Sequence, residues 1–386
     1  MDNVSLLQQE RNQIMEDTFA MKQPKRVMNA VVVDATYALE HFGYDMVKDQ
    51  YDTARLLEAS DRMTALLDTD LMPITIFRVP SIFKMMGAKT IVLDSFGIAQ
   101  HPNCEGMDPK EYDEFIQDPY QFIASTLIPR LYTQLDKPEP ERMLRFGEAY
   151  LANTLENAKV NAGKQEITNK YEKCSRGLFQ NISLAPMDFI ADYLRAFTGI
   201  SMDIRRYPEK VLAATEAITP LLLKKAIPLG LAPSKQNRTF FALHMPTFMR
   251  ERDFEKFWWP SFLSLAKAID EAGYGMNFFC EDDWTRYLDY ISELPEGISL
   301  KFEKGDPKLF KEKLGKKFIL NGWYPAPLLK SGTKQEVQDK CKELLDILAP
   351  GGNYYLTTTT SFMRTCDARL ENLQALCECV NTYGKY

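Results

Sequence analysis

The chain reads as an α/β protein built on a parallel sheet, and three observations predict this. In the C-terminal half, apolar strand-like runs alternate with amphipathic helical runs at roughly 25–40 residue intervals, the rhythm of strands joined by helical crossovers. The length of 386 residues suits a single barrel of alternating strands and helices. No glycine-rich phosphate loop follows any early strand, which weakens a dinucleotide-binding sheet. A closed eight-strand barrel and an open doubly wound sheet both fit the rhythm. With no internal repeat, low-complexity tract or interdomain linker, residues 1–386 are expected to form one domain, residues 1–26 being a helical extension.

Taken in order, residues 5–20 predict a helix, and "VMNAVVVD" a buried strand ending at Asp34. "YDTARLLEASDRMTALLD" places Leu56, Leu57, Met63 and Leu66 on one helical face, and "LMPITIF" and "KTIVLDSFG" are strand candidates. Residues 109–173 read as helical. "NISLAP" is a short strand, and "DFIADYLRAF" and "YPEKVLAATEAI" are helices expected to part at Gly199. "TFFALH" is a strand. Asp253 is expected to cap the helix that follows, with Pro260 kinking it. Then come strand "GMNFFC", helix "DWTRYLDYISELP", strand "GISLKF", helix "DPKLFKEKLG" and strand "KKFILNG". Thr333 and Glu336 form a capping box for the next helix, which Gly351 closes. "NYYLTT" is the last strand and "ARLENLQALCECVNTYG" the last helix.

Composition narrows the function. Hydrophobic residues make up 45% and charged residues 26%, an ordinary globular balance. A net charge of −6 disfavours a nucleic-acid partner. The polar, acid-bearing start and the lack of any run of roughly 18 apolar residues predict no membrane span and a cytoplasmic protein. Seven scattered cysteines are read as reduced thiols.

In a parallel barrel, chemistry sits where strands end. That rule selects Asp34, Asp94, His244, Cys280, Glu281, Asp282, Asn321 and the run Thr357 to Thr360. His244 alone among the three histidines closes a strand; it is either satisfied by a backbone carbonyl or serves as metal ligand or general base. Cys280 reads as a small core residue. Asp282 and Asp283 read as acids at the start of a helix, with Glu281 nearest the strand end. Trp284, Trp323, Tyr324 and Phe362 fall just past strand ends, suited to core packing or to stacking on a flat substrate. His101 and Cys104 in "HPNC" have metal-like spacing but stand alone. Cys377 and Cys379 project from different sides of one helix and are not expected to chelate one metal.

Four segments, "DFEKFWWPSF", "FFCEDDWTRYLDYISELPEG", "NGWYPAPLLKSGTKQEV" and "PGGNYYL…ENLQALCECVNTYGKY", together resemble the uroporphyrinogen decarboxylase superfamily. They look most like its branch of corrinoid-protein methyltransferases, as do "PKEYDEFIQDP" and "DYLRAFTGISMDIRRYPEKV". The resemblance covers roughly residues 87–386 and, more loosely, the N-terminal part. It implies a (β/α)8 TIM barrel of the uroporphyrinogen decarboxylase type with an elaborated N-terminal region. The decarboxylase's early "MRQAGR" motif is absent, and "LTTTTSF" occupies the place of its late glycine–histidine turn.

The resemblance therefore implies transfer of a methyl group from a small methylated substrate to cob(I)alamin on a corrinoid protein. A methoxyaromatic compound, hence O-demethylation, is the expected donor. Many such enzymes hold zinc through a His-x-Cys pair and a later Cys. Those places fall here near Cys280 and Glu281 and near Asn321, and this chain has neither the pair nor the later Cys. A variant zinc site would use His244 and Glu281 with a third oxygen ligand from Glu105, Asp94 or water. His244 and Glu281 are the expected catalytic residues. Trp284, Asn321, Trp323, Tyr324 and Phe362 are the expected substrate-binding residues, and a homodimer is an expected assembly. A decarboxylase or lyase on the same barrel, or a non-catalytic corrinoid- or tetrapyrrole-binding barrel, is the alternative.

Overall fold

The apolar runs become strands wherever both faces are covered. In the computed structural model, which describes residues 5–76 and 80–386, the strands are β1 (Met28–Asn29), β2 (Val33–Asp34), β3 (Ile74–Thr75), β4 (Val92–Leu93), β5 (Ala99–Gln100), β6 (Asn181–Ser183), β7 (Arg238–Leu243), β8 (Gly275–Cys280), β9 (Ser299–Phe302), β10 (Ile319–Gly322) and β11 (Tyr355–Leu356). The predicted mixed α/β class with a parallel sheet is what forms. The sheet runs β10-β9-β8-β7-β6, all parallel, with Phe241 opposite Phe278 and Phe278 opposite Leu300. Parallel ladders also join β1 to β11 and β2 to β3. Single bridges, Leu320 to Tyr354 and Tyr324 to Thr358, tie β10 to the β11 segment. The pairing is thus spread over one five-stranded sheet and shorter ladders rather than one continuous closed sheet.

Alternation decides which side chains meet the helices. Phe241 of β7 and Phe278 of β8 meet Phe262 of the helix Trp259–Glu271, at ring separations of 6.4 and 4.9 Å. Leu243 and Cys280 continue that buried face, as expected for Cys280. The opposite face therefore carries Arg238, Phe240, Ala242 and His244 from β7, Asn277, Phe279 and Glu281 from β8, and Ser299, Lys301 and Glu303 from β9. At the strand starts this inner face is capped by the helix Leu6–Phe19, whose Ile14, Met15 and Phe19 pack with Met28, Ile319 and Tyr355.

Several local expectations change. "VMNAVVVD" breaks into two short strands, and "LMPITIF" keeps only Ile74 and Thr75 as strand, its Phe77 lying outside the described residues. "KTIVLDSFG" enters an antiparallel hairpin of β4 and β5, so Asp94 is not at the end of a sheet strand. Its carboxylate accepts hydrogen bonds from the Phe96 and Ile98 amides at 2.9 Å, which fixes the turn. No break occurs at Gly199, which lies inside the helix Ala196–Arg206; the chain turns at Tyr207 instead. A Cβ at Gly199 would meet the Arg195 guanidinium at 3.2 Å, so the glycine serves close packing. Asp253 lies within the helical turn Glu251–Asp253 rather than capping it. Pro260 is absorbed by a π-helical turn, Phe254–Trp258, directly before its helix, a wider turn that accommodates the missing N–H. The Thr333–Glu336 capping box forms as expected. Among the described residues no helix is long and apolar enough to cross a membrane.

Candidate functional site

Two strand ends meet to build the site. His244 follows β7 and Glu281 follows β8, and the paired register of Leu243 with Cys280 sets the next residues side by side. His244 Nδ1 lies 2.9 Å from Glu281 Oε1, and its Nε2 lies 3.9 Å from Asp192 Oδ2. Each of the three side chains keeps about a third of its surface exposed, so the cluster opens to solvent. Behind it, Asp188 is fully buried. Its Oδ1 accepts from Trp258 Nε1 at 3.1 Å and from the Met245 amide at 3.2 Å, while Oδ2 has no hydrogen-bond partner among the described residues. Asp188 and Asp192 lie four residues apart at the start of the helical stretch Pro186–Arg206, which brings both towards His244.

Electrostatics follow from this ring of acids. Burial alone would lower the His244 pKa. The hydrogen bond to Glu281 and the nearby Asp188, Glu281 and Asp192 charges outweigh it and push the imidazole up to about 9. Burial raises Asp188 to about 7, against the opposing pull of His244, with Asp192 adding to the rise. At neutral pH His244 is therefore an imidazolium that donates from Nδ1 to Glu281.

The acids after Glu281 hold the turn. Asp282 has φ 61°, a left-handed conformation that Asp tolerates, and this ends β8 abruptly. Its amide donates to Glu303 Oε2 at 2.7 Å and its carboxylate pairs with Lys304 at 2.6 Å. Asp283 accepts from the Thr285 amide at 2.8 Å and so fixes the turn before the short helical segment Thr285–Tyr287. The N-cap position there is Trp284, which makes no side-chain cap, so the helix-starting role expected of Asp283 is met only as a turn. Trp284 is buried, and its indole donates to the Glu281 carbonyl at 3.0 Å.

The other expected residues take different places. Asn321 is buried, with its amide donating to Ser299 Oγ at 3.1 Å and accepting from Thr357 at 2.9 Å, so its polar groups are already engaged. Gly322 and Trp323 both have positive φ, 103° and 58°, and the chain turns Trp323 onto Phe302 and Phe310 in the core. Tyr324 is buried and donates to the Val337 carbonyl at 2.9 Å, and Phe362 is fully buried. Trp284 packs among Phe254, Trp258 and Tyr287. These four aromatics thus lie in the core rather than on an open surface. Glu105 is half-exposed and faces Arg195 Nη1 at 3.4 Å, and Asp94 is held in its hairpin turn. No group of three His, Cys, Asp or Glu side chains that could hold a metal occurs among the described residues, so the set His244, Glu281 and Glu105 is not brought together.

Asp188, Asp192, Lys301 and Glu303 were not singled out from the sequence. The signal for the last two is in "GISLKF": with Leu300 and Phe302 on the helix side, alternation puts Lys301 and Glu303 on the inner face. Lys301 stacks on Phe279, its Nζ 4.3 Å from the ring centroid. Two open grooves, of about 520 and 430 Å³, lie along the helix Ala196–Arg206 and are lined by Phe197, Met202, Arg205 and Lys256; they contain none of the strand-end residues.

No family model and no curated protein matches the chain. Among solved structures it is similar to a methyltransferase from Methanosarcina mazei, with a TM-score of 0.63, 13% sequence identity, and 97% of this chain and 98% of that one covered. At that identity the likeness concerns the fold.

Proposed function

We propose that the chain is a methyltransferase that moves a methyl group from a small methylated substrate, a methoxyaromatic compound, to cob(I)alamin of a corrinoid protein. We read the parallel strand segments β1/β2, β3 and β6 to β11 as the (β/α)8 barrel of the uroporphyrinogen decarboxylase type. The likeness to the Methanosarcina enzyme supports methyl transfer. The observation that carries the mechanism is His244 held 2.9 Å from Glu281 at a partly exposed strand end, a pairing that raises the imidazole pKa.

An ether oxygen leaves poorly as an anion, so cleavage needs a proton donor at that oxygen. His244 meets this need. Its Nδ1–H is committed to Glu281, which fixes the ring and keeps it charged, and Nε2, 3.9 Å from Asp192 Oδ2 and so beyond hydrogen-bond distance of it, is the nitrogen we assign to the substrate oxygen. A pKa near 9 lies close to that of a phenolic leaving group, about 10, which favours proton transfer as the bond breaks. The corrinoid, when bound, supplies the nucleophile. Phe240 and Phe279, half-buried on the inner face below His244, would serve as apolar walls for a flat substrate. Trp284 acts on Glu281 through its carbonyl. Among the described residues the donors do not form a three-ligand set for zinc, so His244 and Glu281 act as a proton donor and its partner.

The test is methyl transfer to reduced cobalamin from methoxyaromatics, methanol and methylamines, each with purified protein. Transfer from a methoxyaromatic supports the proposal; none from any donor overturns it.

A further inference from the structure

Three lysines in this fold have lowered pKa values near 8, in each case chiefly because burial disfavours the ammonium. Two of them are structural. Lys173 donates to the Leu67 and Thr69 carbonyls at 3.1 and 2.9 Å, and Lys311 to the Leu348 and Gly352 carbonyls at 2.7 and 2.9 Å. Lys301 differs. Among the described residues its Nζ makes no hydrogen bond or ion pair, and its one recorded partner is the face of Phe279. An ammonium carries three donors, and a ring face satisfies none of them as a hydrogen bond does.

Its position gives this a purpose. Lys301 is half-buried on the inner face of β9, opposite Phe279 on β8 and Asn321 on β10. That is two residues, roughly 7 Å of strand rise, below the level of Glu303 and Glu281. The carboxylates that act on it electrostatically, Glu303 and Glu281, are engaged elsewhere: Glu303 accepts from the Asp282 amide and Glu281 from His244. Both polar atoms of the Asn321 side chain are engaged, Nδ2 by Ser299 and Oδ1 by Thr357. Phe279 lies against Lys301 as a flat apolar wall, and Phe240, stacked on Phe179 at a centroid separation of 4.9 Å, stands on the same inner face two strands away.

We propose that Lys301 reads a carboxylate on the substrate, so that the preferred ligand is a flat aromatic monoacid with its carboxylate on Lys301 and its reacting group at His244. A carboxylate is chosen because a phenol is neutral at pH 7. A phosphate would bring a second negative charge against Glu281 and Glu303, with one cation to receive it. This rests on the reading of the strand-end cluster around His244 as the substrate site.

The test is equilibrium binding by calorimetry at pH 7, with the full chain and no cobalamin. The probes are 4-methoxybenzoate and its neutral counterpart 4-methoxybenzyl alcohol, against the wild type, Lys301→Met and Lys301→Arg. The wild type is expected to prefer the benzoate by about tenfold or more, the size of a charge-assisted hydrogen bond. Lys301→Met abolishes the preference while leaving alcohol binding within about twofold, and Lys301→Arg retains it. A purely structural lysine would weaken both probes together, and that result overturns the proposal. So does a wild type that shows no preference or binds neither probe. Because binding is scored without cobalamin, a failed methyl-transfer assay breaks only the activity proposed above.

Discussion

The inner face of the sheet carries two polar clusters, one at the strand starts and one at the strand ends, and they are built oppositely. At the starts, Arg238 is fully buried. Its Nε donates to Asn277, its Nη1 to the Lys235 carbonyl, and its Nη2 to the Met276 and Gly297 carbonyls, while its guanidinium lies 4.5 Å from the Phe19 ring centroid. Beside it, Ser299 shares a hydrogen bond of 2.8 Å with Tyr355. Towards the ends, His244 stands among three carboxylates, and among the described residues Asp188 keeps an oxygen without a hydrogen bond and Lys301 makes none, its Nζ lying over the Phe279 ring. The same strands thus carry a satisfied cluster that specifies structure and an unsatisfied one with capacity left for a ligand. Saturation, more than polarity, separates scaffold from site.

This contrast can be broken by mutation. The largest expected effect is at the floor. Arg238→Met should cost about 3–5 kcal/mol of stability, because it strands Asn277 and three carbonyls in a largely dry interior. Urea unfolding measures this, and a loss below about 1 kcal/mol would make the floor no more structural than the rim. Next, His244→Gln should lower methyl transfer by about 100-fold or more with little change in melting temperature, as expected on removing a general acid from an open site.

Glu281→Gln sharpens the comparison. Loss of the carboxylate should move the basic limb of the pH–rate profile downwards from about 9, because the hydrogen bond and charge that raise His244 are gone. The raised His244 pKa also makes a stability contribution that is full below about 6.5 and is lost as pH rises through about 9. Wild type should therefore exceed the variant in melting temperature at pH 6, and the difference should close by pH 10. With the pair a third exposed, solvent screening keeps this under about 1 kcal/mol. Smallest of all, Glu105→Gln should change stability by less than about 1 kcal/mol and leave turnover intact, since Glu105 makes a half-exposed pair with Arg195. Chelator treatment should likewise leave turnover intact; a loss in both experiments would restore Glu105 as a metal ligand.

Much of this was legible from the amino acids. His244 and Glu281 each follow an apolar run, and the strand-end rule finds such residues without knowledge of pairing. The capping box at Thr333 and the buried Cys280 follow from local chemistry alone. The aromatics were harder to place. Trp323 stands just past a strand, but left-handed backbone at Gly322 and Trp323 turns it into the core, and no strand pattern foretells that. Asp94 also follows an apolar run, yet that run pairs antiparallel in its own hairpin, a choice made by tertiary contacts. Asp188 and Asp192 were hidden because their relation to His244 is made across space, between a helix and a strand distant in sequence. Lys301 lay in view, as the one charge in the strand Ser299–Phe302.

The cap on the strand starts bears on how the molecule is made. Phe19 meets Arg238 and Tyr355, and β1 pairs with β11, so the first helix and first strand find their partners near the other end of the chain. Contacts of such long sequence separation form late, after much loop entropy has been lost. On the ribosome, where N-terminal residues emerge first, the apolar side of Leu6–Phe19 must wait until β7 and β11 have been synthesised. Until then the emerging chain carries exposed apolar surface, and its solubility depends on whatever shields that helix.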